Sequence, residues 1–284
     1  MPSTKLGLVI LAGGLGSRFG GAKQIAPFGE HGRFLFEYAC YDAMKAGFDK
    51  VFVITRSEMQ DDIKAQLQKW IHPSRFEILL QEQNRSKPWG TAHALHFLNG
   101  HWSGGFLVLN ADDYYGAELF SQVKYLQEKG VRAACLAYEL GETLSSFGSV
   151  SRGICALNGD LLSKITEKTK LKLVEGSIED EFGMTFPRDT LISMNAWLMP
   201  AEFLNFLQSY VEAFLTENAE DAQQEVYLPN AIQKAIETDA FVVHVTKSTG
   251  KWFGLTYPED LQIAFQEIEQ LEQVHYPKHF EEWI

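Results

Sequence analysis

The chain begins with "LGLVIL" at residues 6–11, followed directly by "AGGLGSRFGGAKQ" at residues 12–24. A short, continuous apolar run of this kind predicts a strand that is buried on both faces of a parallel sheet. The segment after it holds five glycines and two cations, Arg18 and Lys23. Because glycine lets backbone N–H groups approach an anion closely, the stretch predicts a first strand followed by a phosphate-binding loop.

The same alternation of short apolar runs and longer amphipathic segments continues through the first half of the chain. Apolar runs at residues 51–55, 76–80 and 105–110 alternate with segments of helical periodicity up to about Leu140. This pattern predicts an α/β fold, a doubly wound, mostly parallel, Rossmann-like sheet with helices on both faces. In such sheets, ligands bind beyond the carboxyl ends of the strands.

The periodicity changes from Gly141 onward. Alternating residues and β-branched side chains there indicate a mixed extension of the sheet. Residues 258–274 have the period of an amphipathic helix with proline near its first turn, which predicts a C-terminal helix. The tail after it carries Phe280 and Trp283, and we expect their apolar side chains to pack against another part of the protein. The sequence leaves open whether the protein is a homo-oligomer.

The bulk composition limits the classes of partner. The formal net charge of -12 opposes binding to a phosphate backbone, so no nucleic-acid partner is expected. No apolar run approaches the roughly 18 to 20 residues of a membrane span, and the N-terminal residues lack a signal-peptide cleavage site, so no membrane is expected. Cys40, Cys135 and Cys155 form no CxxC pair, which indicates neither disulfides nor zinc and favours a reducing cytoplasm.

Two familiar phosphate loops can be tested against the glycine spacing. A dinucleotide-binding fingerprint that uses Gly14 and Gly16 requires a third glycine at position 19, which is Phe19. A Walker A loop requires lysine directly after Gly21, where the chain has Ala22. Neither motif is present, which disfavours a nicotinamide-dependent oxidoreductase. What remains is a loop of the form GGxGSRxGGxK.

This loop resembles the signature loop of the sugar nucleotidyltransferases, which join a nucleoside triphosphate and a sugar phosphate to give a nucleotide sugar and pyrophosphate. The resemblance runs in order from Leu8 to about Leu261 and implies a transferase of phosphorus-containing groups. It implies that Arg18 holds the triphosphate and leaving pyrophosphate, and that Lys23 stabilises the α-phosphate, both as catalytic residues. The nucleotide-binding residues that it implies in this loop are Leu11, Ala12, Gly13, Gly14, Gly16 and Ser17.

The resemblance also implies a division of the chain. Residues 1–257 would form one nucleotidyltransferase domain, with a nucleotide-binding half at about 1–140 and an acceptor-binding half at about 141–257. Residues 258–284 would form the C-terminal helix and a tail that packs on this domain.

The segment "PWGTAHAL", residues 88–95, resembles the family segment in which a glycine opens a helix against the nucleobase. It implies nucleotide contacts from Gly90 and Thr91. The base-reading amide upstream is Gln81 or Gln83, and Gln81 is favoured because it directly follows the third strand. An amide at this place suits uracil or thymine and leaves cytosine and guanine open.

The segment "LVLNADDYYG", residues 107–116, resembles the strand and acidic turn that carry the family's magnesium-binding aspartate. That aspartate falls on Asp112, and Asp113 is a candidate for a second ligand or a hydrogen-bond acceptor. Mg²⁺ prefers oxygen ligands and is usually held by one or two carboxylates together with the substrate's phosphates. The alternative is that the aspartates cap the helix that follows.

Two later segments resemble acceptor-binding elements. "ITEKTK", residues 165–170, implies that Lys168 binds the acceptor phosphate and that Glu167 faces the sugar, although a charged hairpin is also common on a solvated surface. "SMNAW", residues 193–197, takes the place of a sugar-contacting strand and makes Asn195 a candidate for sugar hydroxyls. An alcohol phosphate or another small phosphate would present the same anion to Lys168.

The resemblance has one departure, in "KWFGLTYPEDL", residues 251–261. Family members often show Trp-x-Asp here, with the aspartate as second metal ligand, but this chain aligns Gly254 with it. Either Asp113, water and phosphates complete the metal shell, or the metal site is lost. Lys251 and Trp252 are candidates for contacts with the anionic acceptor. Because of Gly254, the alternative function is a non-catalytic module that senses a nucleotide or nucleotide sugar.

Overall fold

The computed structural model describes residues 5–14, 22–81, 87–219, 221 and 223–280. In this part of the chain the helices are α1 (Leu35–Lys45), α2 (Ser57–Leu67), α3 (Thr91–His96), α4 (Glu118–Glu128), α5 (Phe203–Glu217), α6 (Leu228–Glu237) and α7 (Asp260–Val274). The strands are β1 (Leu6–Leu11), β2 (Pro27–Phe28), β3 (Arg33–Phe34), β4 (Lys50–Thr55), β5 (Phe76–Leu80), β6 (Gly105–Asn110), β7 (Asp113–Tyr114), β8 (Ala134–Glu139), β9 (Val150–Asn158), β10 (Leu161–Val174), β11 (Ser177–Glu179), β12 (Thr185–Phe186), β13 (Leu191–Ser193), β14 (Trp197–Met199), β15 (His244–Lys247) and β16 (Phe253–Gly254).

The first strand has the predicted bounds, and all of its residues are buried. Leu8 and Ile10 belong to the hydrophobic core on one face of the sheet, and Val9 and Leu11 belong to the core on the other face. Successive side chains of a strand point to opposite faces. A strand covered on both sides therefore needs an unbroken apolar run, which is what this segment provides.

Among the described residues, the main sheet contains twelve strands and combines a parallel core with an antiparallel extension. Strands β6, β1, β4 and β5 lie side by side and are parallel. Strand β14 lies between β6 and β8 and is antiparallel to both. Strands β13, β9, β10, β11 and β12 continue the extension, while β15 pairs in parallel with β8. The predicted α/β class, doubly wound with a mixed extension and a C-terminal helix, is confirmed.

The helices cover both faces of this sheet. Helices α1, α2, α4 and α7 bury side chains such as Ile63 and Ile268 in one core. Helices α3, α5 and α6 bury side chains such as Leu95 and Ile232 in the other. The sequence pattern did not predict α6, which follows Tyr227 and has proline in its first turn. No helix within the described ranges is long and apolar enough to span a membrane.

The C-terminal segment packs on the body of the same chain. The Phe280 ring stacks on the Tyr41 ring with centroids 4.3 Å apart, and the guanidinium carbon of Arg33 lies 3.8 Å from the Phe280 centroid. Arg33 Nη1 also donates to Glu272 Oε1 of α7 at 2.8 Å. The apolar surface of Phe280 is thus buried within this chain, while Trp283 lies outside the described residues.

Candidate active site

A cavity of about 810 Å³ lies at the edge of the sheet where the parallel strands end. Gly13 and Gly14 follow β1, Gln81 follows β5, and Asp112 and Asp113 follow β6, and all five line the cavity. Because parallel strands present their carboxyl ends at one edge, motifs that are distant in sequence meet here. The volume suits a small-molecule ligand.

The structure brings many of the predicted site residues to this cavity. Ala12, Lys168 and Lys251 do not line it. Gly16, Ser17 and Arg18 fall on residues 15–21, outside the described part of the chain. The predicted residues that line the cavity are Leu11, Gly13, Gly14, Lys23, Gln81, Gly90, Thr91, Asp112, Asp113, Glu167, Asn195 and Trp252.

Lys23 and Asp112 form an ion pair in the cavity wall. Lys23 Nζ also donates a 2.7 Å hydrogen bond to the carbonyl oxygen of Leu255. The lysine belongs to the short turn Lys23–Ile25, and the aspartate follows β6. The ammonium and the carboxylate therefore neutralise each other at the predicted catalytic position.

Asp113 lies opposite Gly254 in the antiparallel pair of β7 and β16. Its Oδ2 accepts hydrogen bonds from Asn110 Nδ2 at 2.9 Å and from the Tyr115 hydroxyl at 3.1 Å. A Cβ atom on Gly254 would lie 2.1 Å from Asp113 Oδ1. The carboxylate of Asp113 thus occupies the space that a side chain at position 254 would need. Burial and the neighbouring charge of Asp112 raise the pKa of Asp113 to about 7.

Gln81 is held beside the glycine loop. Its backbone N–H donates to the Thr55 carbonyl at 2.8 Å, and its Nε2 lies 3.2 Å from His93 Nδ1. A Cβ on Gly13 would be only 2.3 Å from Gln81 Oε1. Glycine at position 13 therefore allows the amide to approach the loop backbone.

The segment before α3 is anchored to the residues before α6. Gly90 has a φ of +99° and a Cβ there would lie 2.6 Å from the Val226 carbonyl oxygen, so the position requires glycine. The Leu228 N–H donates to Thr91 Oγ1 at 2.9 Å. This contact brings α6, which sequence reasoning missed, to the cavity, where Tyr227 and Asn230 contribute to the lining.

On β10, Glu167 and Thr169 line the cavity, whereas Lys168 between them does not. The Lys168 side chain extends toward Asp180 instead. Its Nζ lies 3.2 Å from Asp180 Oδ2. Lys251 similarly forms an ion pair with Glu267 of α7.

Other acceptor-side residues differ in how they are held. Asn195 has a φ of +59°, a left-handed conformation that asparagine tolerates, and its Nδ2 lies 3.3 Å from Asn110 Oδ1. The indole Nε1 of Trp252 is buried and has no acceptor among the described residues.

Gln24 and Arg152 are among the further cavity residues that sequence reasoning missed. Gln24 Nε2 donates to the Gly14 carbonyl at 2.9 Å, and the only sequence signal was its position next to Lys23. Arg152 is buried in β9, where an arginine within "VSRGICAL" was the available signal. Burial lowers the pKa of Arg152 to about 10, although Asp113 and Glu167 oppose this effect.

Comparison with known proteins identifies a family model that matches this chain. The model of the family described as "Nucleotidyl transferase" matches residues 8–270. A search of curated protein sequences found no match.

Solved structures show the same fold at low sequence identity. A Bacillus anthracis protein assigned as a glucose-1-phosphate thymidylyltransferase is 16% identical, with 97% of this chain and 98% of that chain covered and a TM-score of 0.68. The inositol-1-phosphate CTP transferase of T. maritima is 14% identical, with coverages of 96% and 99% and a TM-score of 0.66. A UDP-glucose pyrophosphorylase solved with UDP-glucose is 15% identical, with coverages of 94% and 99% and a TM-score of 0.64. Because the family match spans most of the sequence, the chain belongs to the nucleotidyl transferase family and is an enzyme that transfers nucleotidyl groups.

Proposed function

We propose that the protein joins a nucleoside triphosphate and a sugar phosphate, or a similar small phosphate, into a nucleotide sugar and pyrophosphate. The observation that carries this proposal is the ion pair of Lys23 and Asp112 beside Gly13 and Gly14 at the strand ends. The names of the similar solved structures include a glucose-1-phosphate, an inositol-1-phosphate and a UDP-glucose enzyme, which supports a small phosphate as acceptor. Membership of an enzyme family favours catalysis over the sensing module.

The chemical step is an in-line attack on the α-phosphorus. An oxygen of the acceptor phosphate forms the new P–O bond, and the bond from the α-phosphorus to the β-phosphate oxygen breaks, so that pyrophosphate leaves. A phosphate monoester is already an anionic nucleophile, so the reaction needs no general base. The protein must align two polyanions and neutralise the charge that develops between them.

The nucleotide side of the cavity supplies the first part of this work. The backbone of Gly13 and Gly14 approaches the triphosphate, and Lys23 exchanges its contact with Asp112 for one with the α-phosphate. Arg18 keeps its predicted role on the leaving pyrophosphate. Gln81, with Gly90 and Thr91, contacts the nucleobase.

The carboxylates fit a magnesium ion that is held largely by substrate. Among the residues that the structure describes, no group of three or more His, Cys, Asp or Glu side chains could hold a metal ion. Two adjacent carboxylates, Asp112 and Asp113, match the usual protein share of a Mg²⁺ site, with phosphates and water completing it. Held by Asp112 and Asp113, the ion would act as a Lewis acid and neutralise the negative charge of the phosphates. Family members often carry an aspartate at the position of Gly254. In this chain Asp113 would serve in its place, because the Asp113 carboxylate occupies the space of a side chain at position 254.

The acceptor side is formed by Glu167, Asn195 and Trp252 in the cavity wall. Carboxylate and amide side chains there suit hydroxyl groups, and an indole ring suits the apolar face of a sugar. Lys168 and Lys251 both make ion pairs outside the cavity. Their contacts with the acceptor are therefore predicted by the resemblance alone.

The test is pyrophosphate release from UTP, dTTP, CTP, GTP and ATP, each with Mg²⁺ and a panel of sugar 1-phosphates and alcohol phosphates. We expect release that requires one triphosphate, one acceptor and the metal together, and that is lost in Asp112→Ala. Pyrophosphate release that is unchanged without an acceptor, or unchanged in folded Asp112→Ala, would contradict the proposed reaction.

A further inference from the structure

Arg152 and Lys168 are cations that lie directly opposite each other on the paired strands β9 and β10. Residues opposite each other in an antiparallel pair share one face of the sheet, so the two side chains begin as close neighbours. They end in different places. Lys168 reaches Asp180, while Arg152 is 7% exposed and lines the cavity that contains Asp112 and Asp113.

Within the described part of the chain, the hydrogen bonds of Arg152 go only to neutral oxygens. Its Nε donates to Thr143 Oγ1 at 3.2 Å, one terminal nitrogen donates to the Ser151 carbonyl at 2.8 Å, and the other donates to the Thr143 carbonyl. A guanidinium carries five N–H donors. The terminal nitrogens therefore keep N–H groups for which the described residues provide no acceptor.

Arg152 also forms no ion pair with the described residues. Asp113, Glu167 and Asp260 act on its charge from a longer distance, and burial outweighs their effect on its pKa. The guanidinium carbon lies 5.2 Å from the centroid of the Trp252 ring, which gives the charge an aromatic neighbour but no anion. A buried charge is costly unless a counter-charge is present. An anionic ligand in the cavity would provide that counter-charge.

We propose that Arg152, rather than Lys168, binds the phosphate group of the acceptor substrate. The planar guanidinium presents paired N–H donors that match two phosphate oxygens. Its place in the cavity with Asp112 and Asp113 brings the acceptor phosphate toward the metal-binding carboxylates, where the attack on the α-phosphorus takes place. This assignment rests on the proposed transferase reaction.

The decisive comparison is between Arg152→Gln and Lys168→Gln, assayed with the productive pair of substrates from the panel. We expect Arg152→Gln to raise the KM for the acceptor by about 10-fold or more, the range of a lost charge-assisted hydrogen bond, with the KM for the triphosphate little changed. Lys168→Gln should have the smaller effect on acceptor KM. Arg132→Gln, which removes an exposed arginine paired with Glu202, is the matched control and should behave as wild type.

The variant Thr143→Val distinguishes a purely structural role of Arg152 from a role in phosphate binding. This variant removes the hydroxyl that accepts from Arg152 Nε but keeps the positive charge. If Arg152 binds phosphate, Thr143→Val should change the acceptor KM much less than Arg152→Gln does. Equal effects of these two variants, or a larger effect from Lys168→Gln than from Arg152→Gln, would overturn the proposal.

A binding measurement makes the result independent of turnover. Glucose 1-phosphate and glucose are titrated by calorimetry into wild-type protein and into Arg152→Gln. Weaker binding of the phosphorylated ligand alone in Arg152→Gln supports the inference even if no transferase activity is found. Transferase activity with unchanged acceptor KM and unchanged phosphate-dependent binding in Arg152→Gln overturns the inference and leaves the proposed function standing.

Discussion

The nucleotide side and the acceptor side of the cavity are built in different ways. On the nucleotide side, Lys23 of the turn Lys23–Ile25 and Asp112, which follows β6, neutralise each other. On the acceptor side, Arg152 and Lys168 lie within antiparallel strands, and Lys168 alone of the two has a carboxylate partner among the described residues. Residues that follow parallel strands meet because these strands all end at the same edge of the sheet. Arg152 and Lys168 share one face of their antiparallel strands, so the local contacts of each side chain decide which of them reaches the cavity.

The largest expected effect comes from breaking the charge pair on the nucleotide side. Lys23→Ala should lower turnover by about 100- to 1,000-fold, the usual loss when one preorganised charge-stabilising group is removed. Its thermal unfolding should show a folded protein, and Lys234→Ala on the exposed face of α6 is the control. Turnover near the wild-type rate in folded Lys23→Ala would exclude Lys23 from the reaction.

The next prediction tests whether Asp113 replaces the missing aspartate at position 254. Gly254→Asp should lower turnover by about 10- to 100-fold, because the new side chain must displace the carboxylate of Asp113. Overpacking should also lower Tm by several degrees. The double variant Gly254→Asp with Asp113→Gly should recover turnover relative to Gly254→Asp. Additive losses in a double-mutant cycle would show that the two positions do not share one space.

A smaller effect, on the KM for the triphosphate, should distinguish Gly13 from the neighbouring Gly14. Gly13→Ala places a methyl group against Gln81 Oε1, whereas the same change at Gly14 meets, among the residues that the structure describes, only Gln24 Nε2 at 3.1 Å. We expect Gly13→Ala to raise the KM for the triphosphate by about 10-fold, as for a lost hydrogen bond to substrate, and Gly14→Ala to raise it less. Steady-state kinetics with the acceptor saturating would measure both. The reverse order would mean that Gln81 does not contact the nucleotide.

The smallest effect concerns the C-terminal segment, which packs against α1. The Tyr276 hydroxyl donates to Asp42 Oδ2 at 2.6 Å, and burial raises the pKa of Asp42 to about 7. A raised folded-state pKa stabilises the protonated form, so the stability that Asp42 contributes is lost as pH rises from about 4 to 7. Between pH 5 and pH 8, the Tm of Asp42→Asn should therefore fall less than the Tm of the wild type. The exposed Asp62→Asn is the control, and parallel Tm curves for wild type and Asp42→Asn would refute this assignment.

Much of the parallel core could be predicted from the sequence. β1 and β5 have the predicted bounds, because buried strands need continuous apolar runs that end at turns. The meeting of Gln81 and Asp112 at one edge also follows from parallel strand direction.

The acceptor side could not be predicted to the same extent. The place of β14 between β6 and β8 depends on pairing between residues far apart in sequence, which local periodicity does not encode. The contact of Lys168 with Asp180 depends on the fold of the β10–β12 region. Arg152 was missed because a single cation in a strand resembles an ordinary surface residue until its burial is known.

The proposed reaction links a nucleotide to the phosphate of an acceptor within a single cavity. The most direct measurement follows a triphosphate labelled with ³²P at the α-position, together with Mg²⁺ and the acceptor panel. We expect the label to appear in a product that contains the acceptor, in step with pyrophosphate release. Label recovered only as the free nucleoside monophosphate, or pyrophosphate released without a joined product, would contradict the proposed reaction.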